Sequence, residues 1–363
     1  MHAETFNSVN LNLYRDNPAR GPRIVVIGGG TGLSTMLRGL KRYTQHICAV
    51  CTVADNGGSS GLLRKDLGIL PPGDIRNCIL ALADTEPVME KLMNHRFSEG
   101  SLNRQNFGNL FIAAMTEVCD GNFYEAVRKF SDVLAVTGKV LPVSLQDLNI
   151  CAHLSDGRFI IGESAIGHEE LPPGVRITDI CMDPATAAAL PEAIEEINQA
   201  DLVVLGPGSL YTSIIPNLLF KEVREAIAQS AATTVYVCNI MTQPAETRGY
   251  NAQDHLQAIL DACGKTTAQG FIDYCIVNNE PLEDSVLGVY KETHAETVFY
   301  DRDLIRRMGT KLIEANLVLV KNGKVRHDAA ELAVQLMQLA HLAVTAKRQS
   351  ASASPLLCMP EAW

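Results

Sequence analysis

The sequence has no excess of positive charge, because 31 Lys and Arg residues stand against 41 Asp and Glu, a net charge of −10. Broad electrostatic binding to nucleic acid or to an anionic membrane is therefore not expected, and a phosphate-bearing ligand would need a local site. No stretch approaches the roughly 20 consecutive apolar residues of a membrane helix, and the N-terminus lacks a cationic segment followed by an apolar one. We expect a cytoplasmic protein with no transmembrane segment.

A disulfide framework is also missing. The ten cysteines are scattered singly through predicted core segments. The one close pair, Cys48 and Cys51, lies inside a predicted strand and has no second C-x-x-C motif to complete a metal site. Free cysteines are usually buried, so we expect reduced thiols in the core rather than a metal or redox centre.

The composition is that of a folded globular protein, with 47% hydrophobic and 20% charged residues in a chain of 363. Polar, aperiodic residues 1–22 and the Ser/Ala/Pro-rich residues 347–363 are predicted to be loose tails. Residues 23–346 are predicted to form one α/β domain, with a β-rich insertion at about 138–181. We also expect a homo-oligomer, with the number of subunits and any protein partner left open.

Short β-branched segments alternate with longer segments of helical periodicity. This alternation predicts a doubly wound, mostly parallel, Rossmann-like sheet with helices on both faces. The predicted strands of that sheet are Arg23–Ile27, Ile47–Val53, Asp201–Leu205, Thr234–Cys238 and Tyr274–Val277. In the insertion, strands are predicted at Gly138–Val143, Leu148–Leu154 and Arg158–Glu163, and the chain is predicted to close with a helix at Ala329–Ala346.

The first predicted strand runs directly into a glycine-rich turn and a helix. The turn contains Gly29, Gly30, Thr31 and Gly32. Unhindered backbone N–H groups and a helix dipole at such a turn favour an anion, so we predict phosphate or nucleotide binding here. The dinucleotide fingerprint G-x-G-x-x-G would need glycine at position 33, where Leu33 stands.

The second predicted strand leads into Asp55, Asn56 and a Gly/Ser-rich segment that we interpret as a long loop. It reaches Asp74, Arg76 and Asn77 at the start of another helix. Long loops in compact domains are often functional, so Asn56, Arg76 and Asn77 are predicted ligand-binding residues, and Asp55 and Asp74 are candidate ligand or metal residues. Asp74 could equally be a simple helix N-cap.

Three later segments have similar chemistry. Asn109 lies in an Asn-Phe-Gly-Asn turn entering an apolar helix and is predicted to bind ligand, with a helix cap as the alternative interpretation. The strand at Asp201–Leu205 is followed by a second glycine turn, and the next strand by polar residues. Because ligands of open α/β sheets bind beyond the carboxyl ends of the strands, we predict binding by these residues: Gly206, Gly208, Ser209, Asn239, Thr242 and Gln243.

Six segments occur in an order that resembles a known family: VVIGGGTGLS, VADNGGSSG, PPGDIRN, GNLFIAAMT, GPGSLYTSIIPNLL and NIMTQPAET. From about Arg23 to Asp328 the chain resembles the bacterial gluconeogenesis factors, which are similar in fold to the 2-phospholactate transferases. The resemblance implies binding of a UDP-sugar, notably UDP-N-acetylglucosamine, and a role in cell shape during growth on gluconeogenic carbon. It implies no settled catalytic activity.

The resemblance implies two further binding residues. It also shows a difference from the transferases that makes Mg²⁺-assisted catalysis less favourable here. Tyr290 and Arg326 match positions where it implies nucleotide-sugar contacts, and a Tyr ring and an Arg fork suit a base and a diphosphate. The transferase relatives place two adjacent acids after the second strand, suited to Mg²⁺, whereas here the second position is Asn56. An amide oxygen can still bind a cation, but one formal charge is lost.

Three hypotheses follow. The first is a regulatory protein that senses a UDP-sugar without catalysing a reaction. The second is a transferase of phosphate-containing groups with Mg²⁺ held near Asp55 and Asp74. The third, an NAD(P)-binding protein, rests on a glycine turn followed by an acid after the second strand, and the spacing at Leu33 opposes it.

Overall fold

The computed structural model describes residues 10–353. The strands are β1 Ile24–Gly28, β2 Ile47–Cys51, β3 Lys139–Pro142, β4 Asn149–Leu154, β5 Phe159–Ile161, β6 Ile177–Asp183, β7 Leu202–Leu205, β8 Thr233–Val237, β9 Tyr274–Asn278, β10 Lys311–Ala315, β11 Val318–Lys321 and β12 Lys324–His327. The helices are α1 Asn12–Asp16, α2 Gly30–Leu40, α3 Gly58–Leu67, α4 Gly73–Leu82, α5 Pro87–Met93, α6 Phe107–Val118, α7 Phe123–Val133, α8 Glu163–His168, α9 Pro191–Gln199, α10 Ile215–Leu218, α11 Lys221–Gln229, α12 Ala252–Ala262, α13 Asp284–Lys291, α14 Arg302–Arg307 and α15 Ala329–Ala353.

The central sheet has seven strands in the order β10-β9-β8-β7-β1-β2-β3. Each neighbouring pair is parallel. All residues of β1, β2 and β7 are buried, as expected for strands covered by helices on both faces. The predicted doubly wound α/β fold is confirmed.

The strand order reverses between β1 and β7. From β1 the chain builds β2 and β3 towards one edge, and it later returns to the other side of β1 to build β7, β8, β9 and β10. Ile27 lies opposite Leu205 where the two central strands end. The two predicted glycine turns therefore leave the sheet side by side at its topological switch point, where open α/β sheets bind ligands.

The observed structure differs from the predicted insertion in three respects. Lys139–Pro142 pairs in parallel with β2 and forms an edge of the central sheet. The separate antiparallel sheet has the order β5-β4-β6 and spans 149–183. The sequence analysis missed β6, because the exposed Thr178 and Asp179 interrupt its alternation, and Glu163 begins α8 instead of ending a strand.

The segment interpreted as a long loop after the second strand contains a helix, so that interpretation is wrong. The glycines at positions 57 and 58 end the extended chain, and α3 follows with Ser59, Ser60 and Leu63 buried on one side. Sequence reasoning weighted the Gly/Ser-rich start, whereas the Leu-Leu-Arg-Lys-Asp-Leu run that follows has good helix formers. Strands β10, β11 and β12 were also not predicted.

The described ends of the chain are more ordered than predicted. Residues 12–16 form α1, where Tyr14 is buried and hydrogen-bonded through its hydroxyl to Nδ1 of His341 at 2.8 Å. The closing helix extends to residue 353. The prediction of loose tails is wrong for residues 10–22 and 347–353, because these residues pack on or continue the domain. Residues 1–9 and 354–363 lie outside the described residues.

Among the residues that the structure describes, one helix, Ala329–Gln349, is long and apolar enough by length and composition to cross a membrane. Its buried residues include Leu332, Leu336 and Leu339, and it packs against α2 and the central strands β7 and β8. The two helices approach closely because Gly39 has no Cβ, which would collide with the backbone of Ala329. One face of this helix therefore packs on the domain.

Candidate functional site

Two adjoining cavities open at the switch point. Cavity A has a volume of about 330 Å³, and cavity B of about 500 Å³. Their common wall consists of Gly30, Thr31, Ser209 and Ser213. Both cavities are therefore bounded by the two glycine turns and their following helices.

The structure brings most of the predicted site residues into these cavities. In cavity A they are Gly29, Gly30, Thr31, Gly32, Gly208, Ser209, Asn239, Thr242, Gln243, Tyr290 and Arg326. In cavity B they are Gly30, Thr31, Asp55, Asp74, Arg76, Asn77, Asn109 and Ser209. Asn56 and Gly206 line neither cavity.

The two glycine turns are in contact. A Cβ added at Gly32 would lie 2.6 Å from the carbonyl oxygen of Pro207, and one at Gly208 would lie 3.3 Å from the carbonyl oxygen of Gly29. Gly30 has φ +69°, which disfavours other residues for a backbone reason although the space beside it is open. The absence of side chains allows the ends of β1 and β7 to meet.

Several polar groups of the turns already have protein partners. The N–H of Gly30 donates to the carboxylate of Asp74. The Asn239 amide donates to the carbonyl of Gly208 at 2.9 Å, and the Gln243 amide donates to the hydroxyl of Ser209 at 2.8 Å. The first turn thus offers fewer free N–H groups than the sequence predicted, because Asp74 from α4 uses one of them.

Tyr290 and Arg326 form the outer wall of cavity A, where α13 meets the β11–β12 hairpin. The Tyr290 hydroxyl accepts a hydrogen bond from the Val325 N–H at 2.7 Å. Arg326 donates from Nη1 to the carbonyl of its neighbour Val325 at 2.8 Å. Arg326 makes no ion pair with any residue in 10–353, so its charge can be used by a ligand.

His327 is a cavity A residue that the sequence analysis missed. Its Nε2 lies 3.1 Å from the carbonyl oxygen of Cys238, so Nε2 carries the hydrogen. Burial lowers the pKa of His327 to about 4, which makes the ring neutral at physiological pH. In the sequence, the signal that could have identified His327 was its position directly after Arg326.

Cavity B contains three carboxyl groups. Burial, followed by the negative charge of Asp55, raises the pKa of Asp74 to about 7. Burial, followed by the charges of Asp55 and Asp74, raises the pKa of Glu163 to about 8. Sequence reasoning missed Glu163, which reaches the cavity from the β-rich insertion, and no local motif marks it.

The same carboxyl groups do not assemble into a complete metal site. Among residues 10–353 no group of three or more His, Cys, Asp or Glu side chains is arranged to hold a metal ion. Asp55 Oδ1 accepts from the Gly57 N–H at 2.9 Å, and Asp74 accepts from Gly30. Asp55 and Asp74 share the cavity and are the residues that would offer oxygen ligands to Mg²⁺.

Asn56 and Gly206, which the sequence analysis predicts to bind ligand, make contacts within the protein. Asn56 Oδ1 accepts from the N–H of Ser164 at 2.8 Å and so ties the segment between β2 and α3 to α8. Gly206 is buried with φ +77°, and a Cβ there would lie 2.9 Å from Ile214. Asn56 is held against the insertion by its contact with Ser164 and Gly206 is buried, and neither lines a cavity.

The fold and the site define a doubly wound α/β protein with a crevice at its switch point. The family model for 2-phospho-L-lactate transferase CofD matches residues 24–318. A relative from Thermoanaerobacterium thermosulfurigenes is 53% identical over 88% of this chain and 97% of its own length. The gluconeogenesis factor of Bacillus subtilis is 45% identical over 88% and 98%.

Solved structures agree with these relatives. The crystal structure of a Bacillus halodurans protein superimposes with a TM-score of 0.83 at 43% identity, covering 88% of this chain and all of that one. The chain belongs to the gluconeogenesis factor family, and the CofD match makes it similar in fold to the 2-phospholactate transferases.

Proposed function

We propose that this chain is a cytoplasmic regulatory protein that binds UDP-N-acetylglucosamine in cavity A and acts in gluconeogenic growth and cell shape. The observation that carries the proposal is the contact of two glycine turns at the switch point, beside an open cavity that ends at Arg326. The relatives' name, gluconeogenesis factor, supports the physiological part. The choice of UDP-sugar rests on the family resemblance.

The chemistry of cavity A suits a nucleoside diphosphate. The diphosphate lies against the glycine turns, where backbone N–H groups and the N-terminus of α2 favour an anion. Arg326 supplies a guanidinium without a competing carboxylate, and such a group binds phosphate oxygens strongly. Tyr290 is held by Val325, so its ring offers a fixed face for the uracil.

The direct test is calorimetric titration of the full chain with UDP-N-acetylglucosamine, UDP and NAD, each with and without a chelator. The expected result is binding of both uridine ligands that is independent of the chelator, with the ligand recovered unchanged after long incubation. Binding of NAD alone would support an NAD(P)-binding protein instead. Absence of binding by any uridine ligand would contradict the proposal.

A transferase is the second candidate, and one observation favours it. Asp74 has a pKa near 7 and borders the common wall of the two cavities, which suits a group that exchanges a proton with a substrate hydroxyl. Asp55 and Asp74 would hold Mg²⁺, which would neutralise phosphate charge. The test is product formation from UDP-N-acetylglucosamine and candidate acceptors with Mg²⁺. The Asp74→Asn variant should then lose turnover more than binding, whereas Asp84→Asn, at an exposed site, should lose neither.

A further inference from the structure

Arg76 in cavity B carries a buried charge without an ionic partner. Its side chain is only 8% exposed. Nη1 donates to Asn109 Oδ1 at 2.8 Å and Nη2 donates to Asn77 Oδ1 at 2.7 Å, both neutral amide oxygens. Nε is buried and has no hydrogen-bond partner. No carboxylate in residues 10–353 forms an ion pair with it.

A buried guanidinium without an ion-pair partner lowers the stability of the folded protein unless a ligand supplies the opposite charge. The nearby charges of Asp74 and Asp55 favour the guanidinium, but neither carboxylate forms an ion pair with it, so the desolvation of Arg76 is only partly offset. Burial lowers the pKa of Arg76 to about 10, so the side chain keeps its positive charge at physiological pH. The two asparagines fix the plane of the guanidinium, and Gly108 leaves room for it, because a Cβ there would lie 2.7 Å from Arg76 Cδ. These contacts pre-organise the group for an anion.

A second arginine lines the same cavity. Arg96 is exposed, and its Nη1 donates to the carbonyl of Arg104 at 2.7 Å, so a backbone contact holds it. Both guanidinium groups line cavity B, while Asp55, Asp74 and Glu163 provide hydroxyl-binding groups in the same cavity. The combination suits a molecule that has an anionic group and hydroxyl groups together.

We propose that cavity B is a second ligand subsite, in which Arg76 and Arg96 bind the phosphate of a small phosphorylated hydroxy compound. This ligand is distinct from the nucleotide diphosphate on the glycine turns, and that distinction rests on the proposed function of cavity A. Because the two cavities share the wall of Gly30, Thr31, Ser209 and Ser213, the two ligands would lie on either side of that wall.

The test uses inorganic phosphate as the probe, titrated into the full chain by calorimetry. The key variant is Asn77→Asp, which keeps an oxygen on Arg76 but adds a negative charge that neutralises the guanidinium. The matched control is Asn122→Asp, which makes the same charge change at the exposed N-cap of α7, where aspartate caps equally well. We expect Asn77→Asp to weaken phosphate binding about tenfold or more and Asn122→Asp to leave it unchanged.

Arg96→Gln is the second variant, because this exposed side chain can be replaced without disturbing the core; it should also weaken phosphate binding. Equal phosphate binding by Asn77→Asp and Asn122→Asp, or no binding by the unmodified chain, overturns the proposal.

The second arm repeats the phosphate titration with saturating UDP. Phosphate binding that persists supports two separate subsites. Displacement of phosphate by UDP assigns the phosphate to the glycine turns and overturns the proposal. If UDP does not bind at all, the proposed function of cavity A fails on its own, and the effect of Asn77→Asp in the first arm still decides the anion subsite.

Discussion

Cavities A and B share a wall but differ in what forms them. Cavity A is built largely from backbone, with two glycine turns and amides that brace them, and Arg326 is the charged side chain among its described lining residues. Cavity B is built from charged side chains that arrive from different segments, namely Asp55, Asp74, Arg76, Arg96 and Glu163. Cavity A is therefore fixed mainly by backbone conformation, and cavity B by the balance between its acidic and basic side chains.

The largest expected effect comes from disturbing the backbone contact that shapes cavity A. Gly32→Ala would place a methyl group against the Pro207 carbonyl and push the two turns apart. We expect UDP-N-acetylglucosamine affinity to fall by about a hundredfold, since overpacking of this kind costs about 1–3 kcal/mol and the turns form the phosphate site. Calorimetry measures the loss.

The matched control is Gly288→Ala in α13, where a Cβ meets no atom within 4 Å. It should retain affinity, because alanine is favourable in a helix. If Gly32→Ala binds as well as this control, the contact between the turns does not shape the ligand site.

The next effect concerns the charge in cavity A. Arg326→Gln removes the guanidinium but keeps a polar side chain, and we expect UDP affinity to fall about 10- to 100-fold, in line with about 1.5–3 kcal/mol for hydrogen bonds to charged groups. Arg306→Gln, an exposed residue of α14, is the control. Phosphate binding in cavity B should be unchanged in Arg326→Gln, and a parallel loss there would show that the two cavities act as one site.

The third expected effect is on the free energy of unfolding and depends on the carboxyl groups of cavity B. The folded-state pKa of Asp74, about 7, lies above its ordinary value of 3.8. Between these values the folded protein holds a proton that the unfolded chain releases, so the free energy of unfolding falls as pH rises through about 4 to 7. Glu163, with a pKa raised from 4.5 to about 8, extends this loss to about pH 8.

Asp74→Asn should therefore flatten part of that decline and raise the free energy of unfolding at pH 8 relative to pH 5 by about 1–2 kcal/mol. Urea denaturation at both pH values measures it, with Asp84→Asn as the exposed control. A pH dependence identical to that of the unmodified chain would mean that Asp74 is not held in its neutral form by cavity B.

The smallest effect is at Tyr290. Tyr290→Phe keeps the aromatic face but removes the hydroxyl that accepts from Val325, a hydrogen bond worth about 1 kcal/mol. We expect a decrease in UDP affinity of about fivefold or less, because α13 loosens from the hairpin. Tyr290→Ala should decrease it further by loss of stacking. Affinity unchanged in both variants would remove Tyr290 from the site.

The sequence predicted the central strands and both glycine turns, because a buried parallel strand is a continuous apolar run and a strand-to-helix turn needs glycine locally. It did not predict α3, whose glycine-rich start obscured a helix-forming run, or β6, whose exposed residues break the alternation. These errors arose where local pattern and tertiary packing gave different signals.

The sequence by itself determined the α/β class and the residue types at the strand ends, since these depend on residues adjacent in the chain. Only the tertiary structure decided that Gly32 touches Pro207, that Asn56 faces the insertion, and that Glu163 joins Asp74 across about ninety positions of sequence. The protonation state of the buried groups also depends on the tertiary structure. A pKa depends on burial and on neighbouring charges, and the neighbours of Asp74, Arg76 and Glu163 come from segments that only folding brings together.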